Sequence, residues 1–439
     1  MERSILSWGR AHRYSHQVVN LAKGADQSEA LQAAAALPGT MIPRGLGRSY
    51  GDVALNDGGR LLLTPRMDNM IAADWTTGRI RAAAGLSLEQ LLRICVPKGW
   101  FPAVVPGTKF VTLGGAVAND IHGKNHHQAG SFGVNVVKLQ LRRSNRDAIV
   151  CSRDENADMF ALTLGGLGLT GLMEWVELQL TPVRSGNLDV ENHSCQNLEE
   201  FFELTEASKE WPYTVMWVDC FATGTALGRG VFTRARFAEA GGLVAHKAQK
   251  ALTWPIETPG FLLNKTSISA FNALYRKRPA ASYKGPQHYD PFFFPLDGIQ
   301  EWNRMYGRKG FFQHQSLIPM EQKEQGIRQL LETIEHAGQG SFLAVLKVHG
   351  PERSPGIMSF CREGVSLALD FANKGQKTRQ LLEQLDNVVQ RHGGRLYPAK
   401  DGHMSSSFFK EAYPRWRELE DARDPNFSSS FWRRVTQST

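Results

Sequence analysis

Between Pro43 and Phe132 the chain carries three glycine-rich segments: PRGLGRSYGD (Pro43 to Asp52), PGTKFVTLGGAVANDIHGKNHH (Pro106 to His127) and GSF (Gly130 to Phe132). Glycine tolerates positive φ and lets the main chain come close to a bound group. Three such loops in one stretch constrain the fold, because their backbone N–H groups have to wrap something large and negatively charged. A dinucleotide pyrophosphate meets that description. A Rossmann turn does not. Gly166, Gly168 and Gly171 in GGLGLTG satisfy G-x-G-x-x-G, but that fingerprint must follow a strand and open a helix. Here the preceding DMFALTLGG reads as helix and the following segment as strand.

The 439 residues suffice for two or three domains, and 42% hydrophobic content supports a real core. The N-terminal MERSILSWGRAHRYSHQ has no apolar core and no run of about 18 apolar residues exists, so neither a secretory signal nor a transmembrane helix is expected. The cysteines (Cys95, Cys151, Cys195, Cys220, Cys361) are scattered without a C-x-x-C pair, which argues against a zinc ribbon or a disulfide framework and for a reducing, cytoplasmic location. The net charge of +8 is dispersed. It suits a soluble basic surface, an anionic membrane face or a phosphorylated ligand. A nucleic-acid partner is not expected, since no recognised binding motif is present.

To about Arg184 the chain alternates short strands and helices. In GRIRAAAGLSLEQLLRICVPKGW, Ile80, Ala82 and Ala84 alternate as a strand, and Ser87 stands three before Gln90 in a capping box. Leu88, Leu91, Leu92 and Cys95 then share one helical face, which Pro97 and Gly99 terminate. Leu172 to Pro182 alternates as a long half-buried strand. After Pro182 the texture changes. A polar helical stretch lies near Leu198 to Glu210, and strands are predicted at Tyr213 to Ala222, Gly310 to Pro319, Ser341 to Gly350 and Gly364 to Asn373. A less regular region spans Ala251 to Tyr283, and a helix runs from about Lys377 to Arg391. The pattern predicts an antiparallel sheet with helices on one side, an α+β arrangement. From Gly393 the style of the first part returns.

His122, His126 and His127 form an H-x3-H-H cluster. Metal binding needs neutral imidazoles converging from a rigid scaffold with further ligands. Gly123, Gly130 and Gly133 speak against a regular helix there, at about 1 kcal/mol per interior glycine. The expectation is a histidine beside a bound cofactor or substrate, and no metal.

Taken in order, PRGLGRSYGD, PGT, TLGGAVANDIHGKNHH, GSFG and GLTG resemble the flavin-binding half of the vanillyl-alcohol-oxidase superfamily of FAD-linked oxidases. Within it they resemble the branch that oxidises polyprenyl-phosphate-linked pentoses. LSWGR, WNRMYGRKGFFQHQ and GGRLYPAKD resemble the same branch, so the similarity covers nearly the whole chain. GRSYGD together with DIHGKNHH is its most specific part. The resemblance implies an α+β fold: a split two-subdomain FAD-binding domain of PCMH type from residues 1–184 and 395–439, with an inserted antiparallel-sheet substrate domain from 185–394. It implies FAD lined by Arg44, Gly45, Gly47, Arg48, Ser49 and Tyr50, then by Pro106, Gly107, Thr108, Gly114, Gly115, Asn119, His122, Gly123 and Asn125. Ser131, Gly133, Gly168, Thr170, Gly171 and Tyr397 complete that set. Relatives with a histidyl flavin carry histidine where Tyr50 stands, which implies non-covalent FAD.

The resemblance further implies Lys400, His122 and Gln315 as catalytic candidates. A fixed cation at Lys400 would stabilise the anionic reduced flavin. Gln313 and Gln315 share a strand face by period-two spacing and could bond sugar hydroxyls, while Lys347 could meet a phosphate. Gln313, Gln315, Lys347, Ser366 and Lys400 are the substrate-binding candidates. Typical relatives have Asn-x-Cys where this chain has Ser366 and Ala368, so one pocket wall differs. The implied activity is FAD-dependent oxidation of a CH–OH group, the 2'-hydroxyl of a polyprenyl-phospho-ribose, to a keto sugar. That would be the first half of an epimerisation towards an arabinan precursor of the cell wall, completed by a partner reductase. Peripheral contact with the inner face of the plasma membrane is expected. Trp254, Phe261, Leu262, Leu263 and Phe271 beside Lys265, Arg276, Lys277 and Arg278 have an interfacial composition. The alternative is a soluble oxidase of free alditols or aldonolactones, weakened by the missing loop histidine.

Overall fold

The capping box read at Ser87 is present. Ser87 Oγ accepts from the Gln90 N–H at 3.1 Å, and the Gln90 side chain accepts from the Ser87 N–H at 2.9 Å. The helix runs Leu88–Cys95, buries Leu88, Leu91, Leu92 and Cys95, and closes through a 3-10 turn onto Gly99 at φ 80°. The structure, a computed structural model, describes residues 2–23, 27–247, 252–259, 263–277 and 279–437.

A first sheet joins β1 (Glu2–Leu6), β2 (Arg13–Ala22), β3 (Met41–Arg44) and β4 (Arg60–Arg66) in the order β1-β2-β4-β3. A second, antiparallel sheet contains β5 (Met70–Asp74), β6 (Arg79–Ala83), β7 (Trp100–Pro102), β8 (Val136–Arg142), β9 (Ile149–Ser152) and β10 (Leu172–Pro182). The long alternation read from Leu172 to Pro182 is β10 itself. It pairs with β6, β7 and β8 and so organises this sheet. A third sheet has eight antiparallel strands, beginning with β11 (Asn187–Cys195), β12 (Tyr213–Val218) and β13 (Gly230–Phe237). The short β14 (Leu252–Thr253) stands apart and pairs with β16 (Ile299–Gln300). The third sheet continues with β15 (Lys284–His288), β17 (Phe311–Pro319), β18 (Ala344–His349), β19 (Gly364–Ala372) and β20 (Arg395–Leu396). Its order is β15-β11-β13-β12-β18-β19-β17-β20. The protein is thus a mixed α and β structure built on several sheets.

One face of the third sheet packs on helices. Val365, Leu367, Leu369 and Phe371 of β19 meet Ile327, Leu330, Leu331 and Ile334 of the helix Lys323–Ala337, and Leu381, Leu382, Leu385 and Val388 of the helix Gln376–Arg391. Each fully buried side chain of this type contributes about 1.5–3 kcal/mol. A one-residue slip would turn the whole row outwards, so the register is strongly fixed. That register sends Gln313, Gln315, Ala368 and Asp370 to the opposite face, where Gln313 pairs with Asp370 and Gln315 with Ala368.

Several elements differ from the sequence reading. The strand from Tyr213 stops at Val218, because the Asp219 carboxylate and N–H both turn to Arg229. The helix from Leu198 stops at Glu206, and a turn from Ser208 to Trp211 follows. The region from Ala251 to Tyr283 is not irregular throughout. Lys265–Lys277 is a helix, whose Asn272 is buried and donates to Asp219 at 2.8 Å. Leu263 is buried and Trp254 half-buried, whereas Phe271 is 38% exposed. Phe261, Leu262 and Arg278 lie outside the described residues. As the sequence predicts, GGLGLTG follows a helix (Ala157–Thr163) and precedes a strand, with Gly165, Gly168 and Gly171 at positive φ. The last segment returns to the first sheet. The Met41 N–H donates to the Asn426 carbonyl and the Met41 carbonyl accepts from the Ser428 N–H, while Arg434 reaches Asp52.

Candidate active site

A cavity of about 810 Å³ opens between the glycine-rich loops and the free face of the third sheet. The first loop forms one wall through Gly45, Gly47, Arg48, Ser49 and Tyr50. The N-terminal LSWGR holds this loop from behind: the Trp8 and Gly9 N–H groups donate to the Ser49 and Tyr50 carbonyls, and the Arg48 guanidinium lies 4.0 Å above the Trp8 ring. Arg44 does not reach the cavity, contrary to the expectation. Its guanidinium donates to the Ala54 and Leu6 carbonyls at 2.9 and 3.1 Å and so closes the loop on itself. A β-carbon at Gly47, which sits at φ +66°, would lie 2.3 Å from that guanidinium. Among the described residues the N–H groups of Leu46, Gly47, Arg48 and Ser49 find no acceptor. The loop that lines the cavity therefore carries a row of unpaired main-chain donors.

Pro106, Gly107 and Thr108 form the second wall, with Gly114, Gly115, Asn119, His122 and Gly123 from the same motif, and Gly168 and Tyr397 beyond them. Thr112 caps the short helix Leu113–Ala118 by accepting from Gly115 N–H at 3.2 Å. The Tyr397 hydroxyl donates to the Asn119 carbonyl at 2.9 Å, which ties the C-terminal segment to this wall. Gln313, Gln315, Lys347, Ala368 and Asp370 rise from the sheet floor, and Lys400 enters from the C-terminal segment.

The charges of the floor are arranged around burial. Lys400 Nζ sits 3.7 Å above the Tyr50 ring and has no hydrogen-bond acceptor among the described residues. Burial pulls its ammonium well below the ordinary lysine range, Asp370 pulls it back up, and Lys347 depresses it further. Asp370 is fully buried and bonded only to neutral groups, Gln313 Nε2 at 2.6 Å and the Tyr306 hydroxyl at 3.4 Å. Burial raises its carboxyl well above the usual carboxylate range, against the opposing effects of Gln313, Lys400 and Tyr306. Lys347 also lacks an acceptor, and burial lowers it to about 8. Lys124 is lowered to about 7 by burial and then by Lys347, and donates to the Phe292 carbonyl at 2.8 Å.

His122 lines the cavity with its Nε2 2.7 Å from the Gln315 amide. The Gln315 amide N–H donates to this ring nitrogen, which accepts in the neutral imidazole. Burial first, then Lys347, holds this imidazole neutral. His126 and His127 stand elsewhere. His126 packs its ring at a tilt against His349, and His127 Nε2 meets the Trp211 carbonyl at 2.9 Å.

Six further expected residues stand behind the wall. Asn125 donates to the Ala103 carbonyl, and Thr170 bonds Thr163. The Gly133 N–H goes to Asp120, and Ser131 is fully buried. Gly171 packs on β8, where a β-carbon would lie 2.6 Å from the Arg142 carbonyl. Ser366 lies further along β19 than the cavity, opposite Lys347, and bonds His349 instead. Asp370 and Lys124 were missed. Asp370 follows Ser366 and Ala368 at period two, so a charged residue on that strand face was the available signal. Lys124 was hidden inside the histidine cluster.

The unpaired loop donors and the ammonium groups without acceptors fit a bulky anionic dinucleotide, so the residues present suit FAD. A family model described as an FAD binding domain matches residues 15–151. The chain is 32% identical to decaprenylphosphoryl-β-D-ribose oxidase of Mycolicibacterium smegmatis, over 99% of this chain and 97% of that protein. It is 30% identical to an uncharacterised protein of Streptomyces coelicolor, over 80% of this chain and 100% of that one. A partial similarity reaches cytokinin dehydrogenase 7 of Oryza sativa, 29% identical over 38% of this chain and 33% of that one. The protein is accordingly an FAD-dependent oxidoreductase, and the chain belongs to the decaprenylphosphoryl-β-D-ribose oxidase family of FAD-linked oxidases.

Proposed function

We propose that the protein oxidises a secondary hydroxyl of a polyprenyl-phosphate-linked pentose, the 2'-hydroxyl of a decaprenylphosphoryl-ribose type of substrate, to a keto sugar. The observation that carries this reading is the cavity floor. Two side-chain amides and two ammonium groups without acceptors face one space beside the flavin loops. FAD, when bound, supplies a two-electron acceptor for the hydride of the alcohol carbon. Gln313 and Gln315 hold sugar hydroxyls, and Lys347 holds the phosphate by charge-assisted bonding. Lys400 places a positive charge where negative charge develops. The Asp370 carboxylate, facing the same space, accepts the hydroxyl proton. A partner reductase returns the keto sugar as its epimer.

Residues 1–184 and 395–439 form the split, PCMH-type FAD domain in this reading, and 185–394 the substrate domain. FAD is non-covalent, because Tyr50 offers no imidazole for a histidyl link. Acid precipitation is expected to release the flavin into the supernatant, and yellow colour staying with the pellet refutes this. Among the described residues no helix is long and apolar enough to cross a membrane. Leu252, Ile256 and Leu274, exposed at 80, 62 and 73%, support peripheral contact with a lipid face instead. The test compares anaerobic flavin reduction by a prenyl-phospho-ribose, the free pentose and xylitol. Equal efficiency of the free polyols overturns the lipid-linked assignment in favour of an alditol-type oxidase.

A further inference from the structure

The sequence motif H-x3-H-H contributes only His126 to a second cluster, one layer behind the cavity wall. The other members come from distant segments: His349 at the end of β18 and Cys361 before β19. All three are buried, and their ligand atoms lie within 4.8 Å of one another. Both ring nitrogens of His126 and the Nδ1 of His349 are buried without a hydrogen-bond partner. The His349 Nε2 is engaged by Ser366 Oγ at 3.0 Å. In metal sites a bond of this kind fixes a ligating imidazole in one tautomer and leaves its other nitrogen to coordinate. The His126 and His349 rings lie 4.3 Å apart between centroids. The segment bearing Cys361 is also tied to the glycine-rich motif, since the Ser359 hydroxyl donates to Asp120 and accepts from the Cys361 N–H.

We propose that His126, His349 and Cys361 bind a thiophilic d10 ion, zinc(II) or copper(I). A thiolate with two imidazoles is the donor set such ions select. Ligation takes neutral imidazoles, and the unpartnered ring nitrogens of His126 and His349 are the atoms that would coordinate. The Lys347 ammonium opposes an added positive charge, and the Cys361 proton leaves on binding, so that the thiolate supplies the compensating negative charge. None of the three residues lines the cavity. The ion therefore has no contact with substrate and cross-links three segments: the histidine motif, the end of β18 and the strand entry at Cys361. This site does not depend on the identity of the substrate.

The test uses full-length holoprotein made without an affinity tag. It is incubated with zinc(II) or, anaerobically, with copper(I), freed of excess ion and analysed for metal. One ion per chain is expected in at least one arm. Cys361→Ser and His349→Phe, the latter keeping the ring contact with His126, are expected to lose it. Ser366→Ala is expected to weaken binding about 10–100-fold. Cobalt(II) in the wild type is expected to give a thiolate-to-metal charge-transfer band that Cys361→Ser lacks. No retained ion in either arm overturns the proposal, as does equal retention by Cys361→Ser and wild type. Should either larger change prevent folding, judged by flavin content and melting, Ser366→Ala decides: unchanged affinity overturns the site.

Discussion

Arg434 links the two sequence stretches that most resemble flavin-binding elements. It donates to Asp52 of GRSYGD at 2.8 and 3.2 Å, to Asp401 beside Lys400 at 3.0 Å, and to the Met404 carbonyl at 2.7 Å. Asp52 and Asp401 are 1% and 2% exposed, so Arg434→Met leaves two buried carboxylates without their cation. Removing one partner of a buried pair costs about 3–5 kcal/mol. The lower end applies here, because Asp401 keeps the His403 and Met404 N–H bonds. For a cooperative unit of about 150–250 residues, each kcal/mol shifts the melting midpoint by about 2–4 °C, so about 3 kcal/mol gives about 6–12 °C. Burial pushes the Asp401 carboxyl up, but Arg434, His403 and the N–H groups outweigh it and hold it at about 2. The stability this contributes is full above the unfolded carboxyl range near 4 and is lost as pH falls through about 2. The gap between wild type and variant is therefore widest at neutral pH and narrows as pH falls towards 3. Tryptophan fluorescence and flavin release, followed on heating at pH 7 and pH 3, measure both effects. A midpoint within about 2 °C of wild type at pH 7, or an equal gap at both pH values, refutes the reasoning.

Lys400→Ala is expected to retain flavin and lower the single-turnover rate of flavin reduction about a hundredfold or more, the size of a lost electrostatic stabiliser. A wild-type rate assigns Lys400 a purely structural place against Tyr50. Asp370→Asn is expected to raise stability at neutral and higher pH and to flatten its pH dependence. The folded state raises the Asp370 pKa, so this group's favourable contribution is full below the unfolded carboxyl range and is lost as pH rises through the raised folded value. Urea titrations of wild type and variant from pH 4.5 to 8 measure this, and parallel curves refute it.

What the sequence determined by itself is local. The Ser87 to Gln90 capping box, the helical face ending at Gly99 and the bounds of β10 follow from i, i+3 spacing and period-two alternation. Those signals act within one turn or one strand, and they need no knowledge of neighbours. The same holds for the reversed context of GGLGLTG, which excluded a Rossmann turn. The glycine loops likewise announced an anion cradle, since only glycine-rich main chain offers unpaired N–H groups so closely. What faces what was decided by strand register and chain return. Gln313 meets Asp370 because β17 and β19 pair in one register, and Ser366 leaves the cavity for His349 because it sits further along that same strand. Arg44 turns inward because two main-chain carbonyls, from Leu6 and Ala54, converge behind its loop. The helix at Lys265–Lys277 forms where sequence texture showed only irregularity, because Ile268 and Asn272 find a buried side to pack against. His126, His349 and Cys361 are separated by up to hundreds of residues, and no periodicity encodes their meeting. Such contacts depend on how whole sheets stack around one cavity, which is a property of the packed chain and of no single segment.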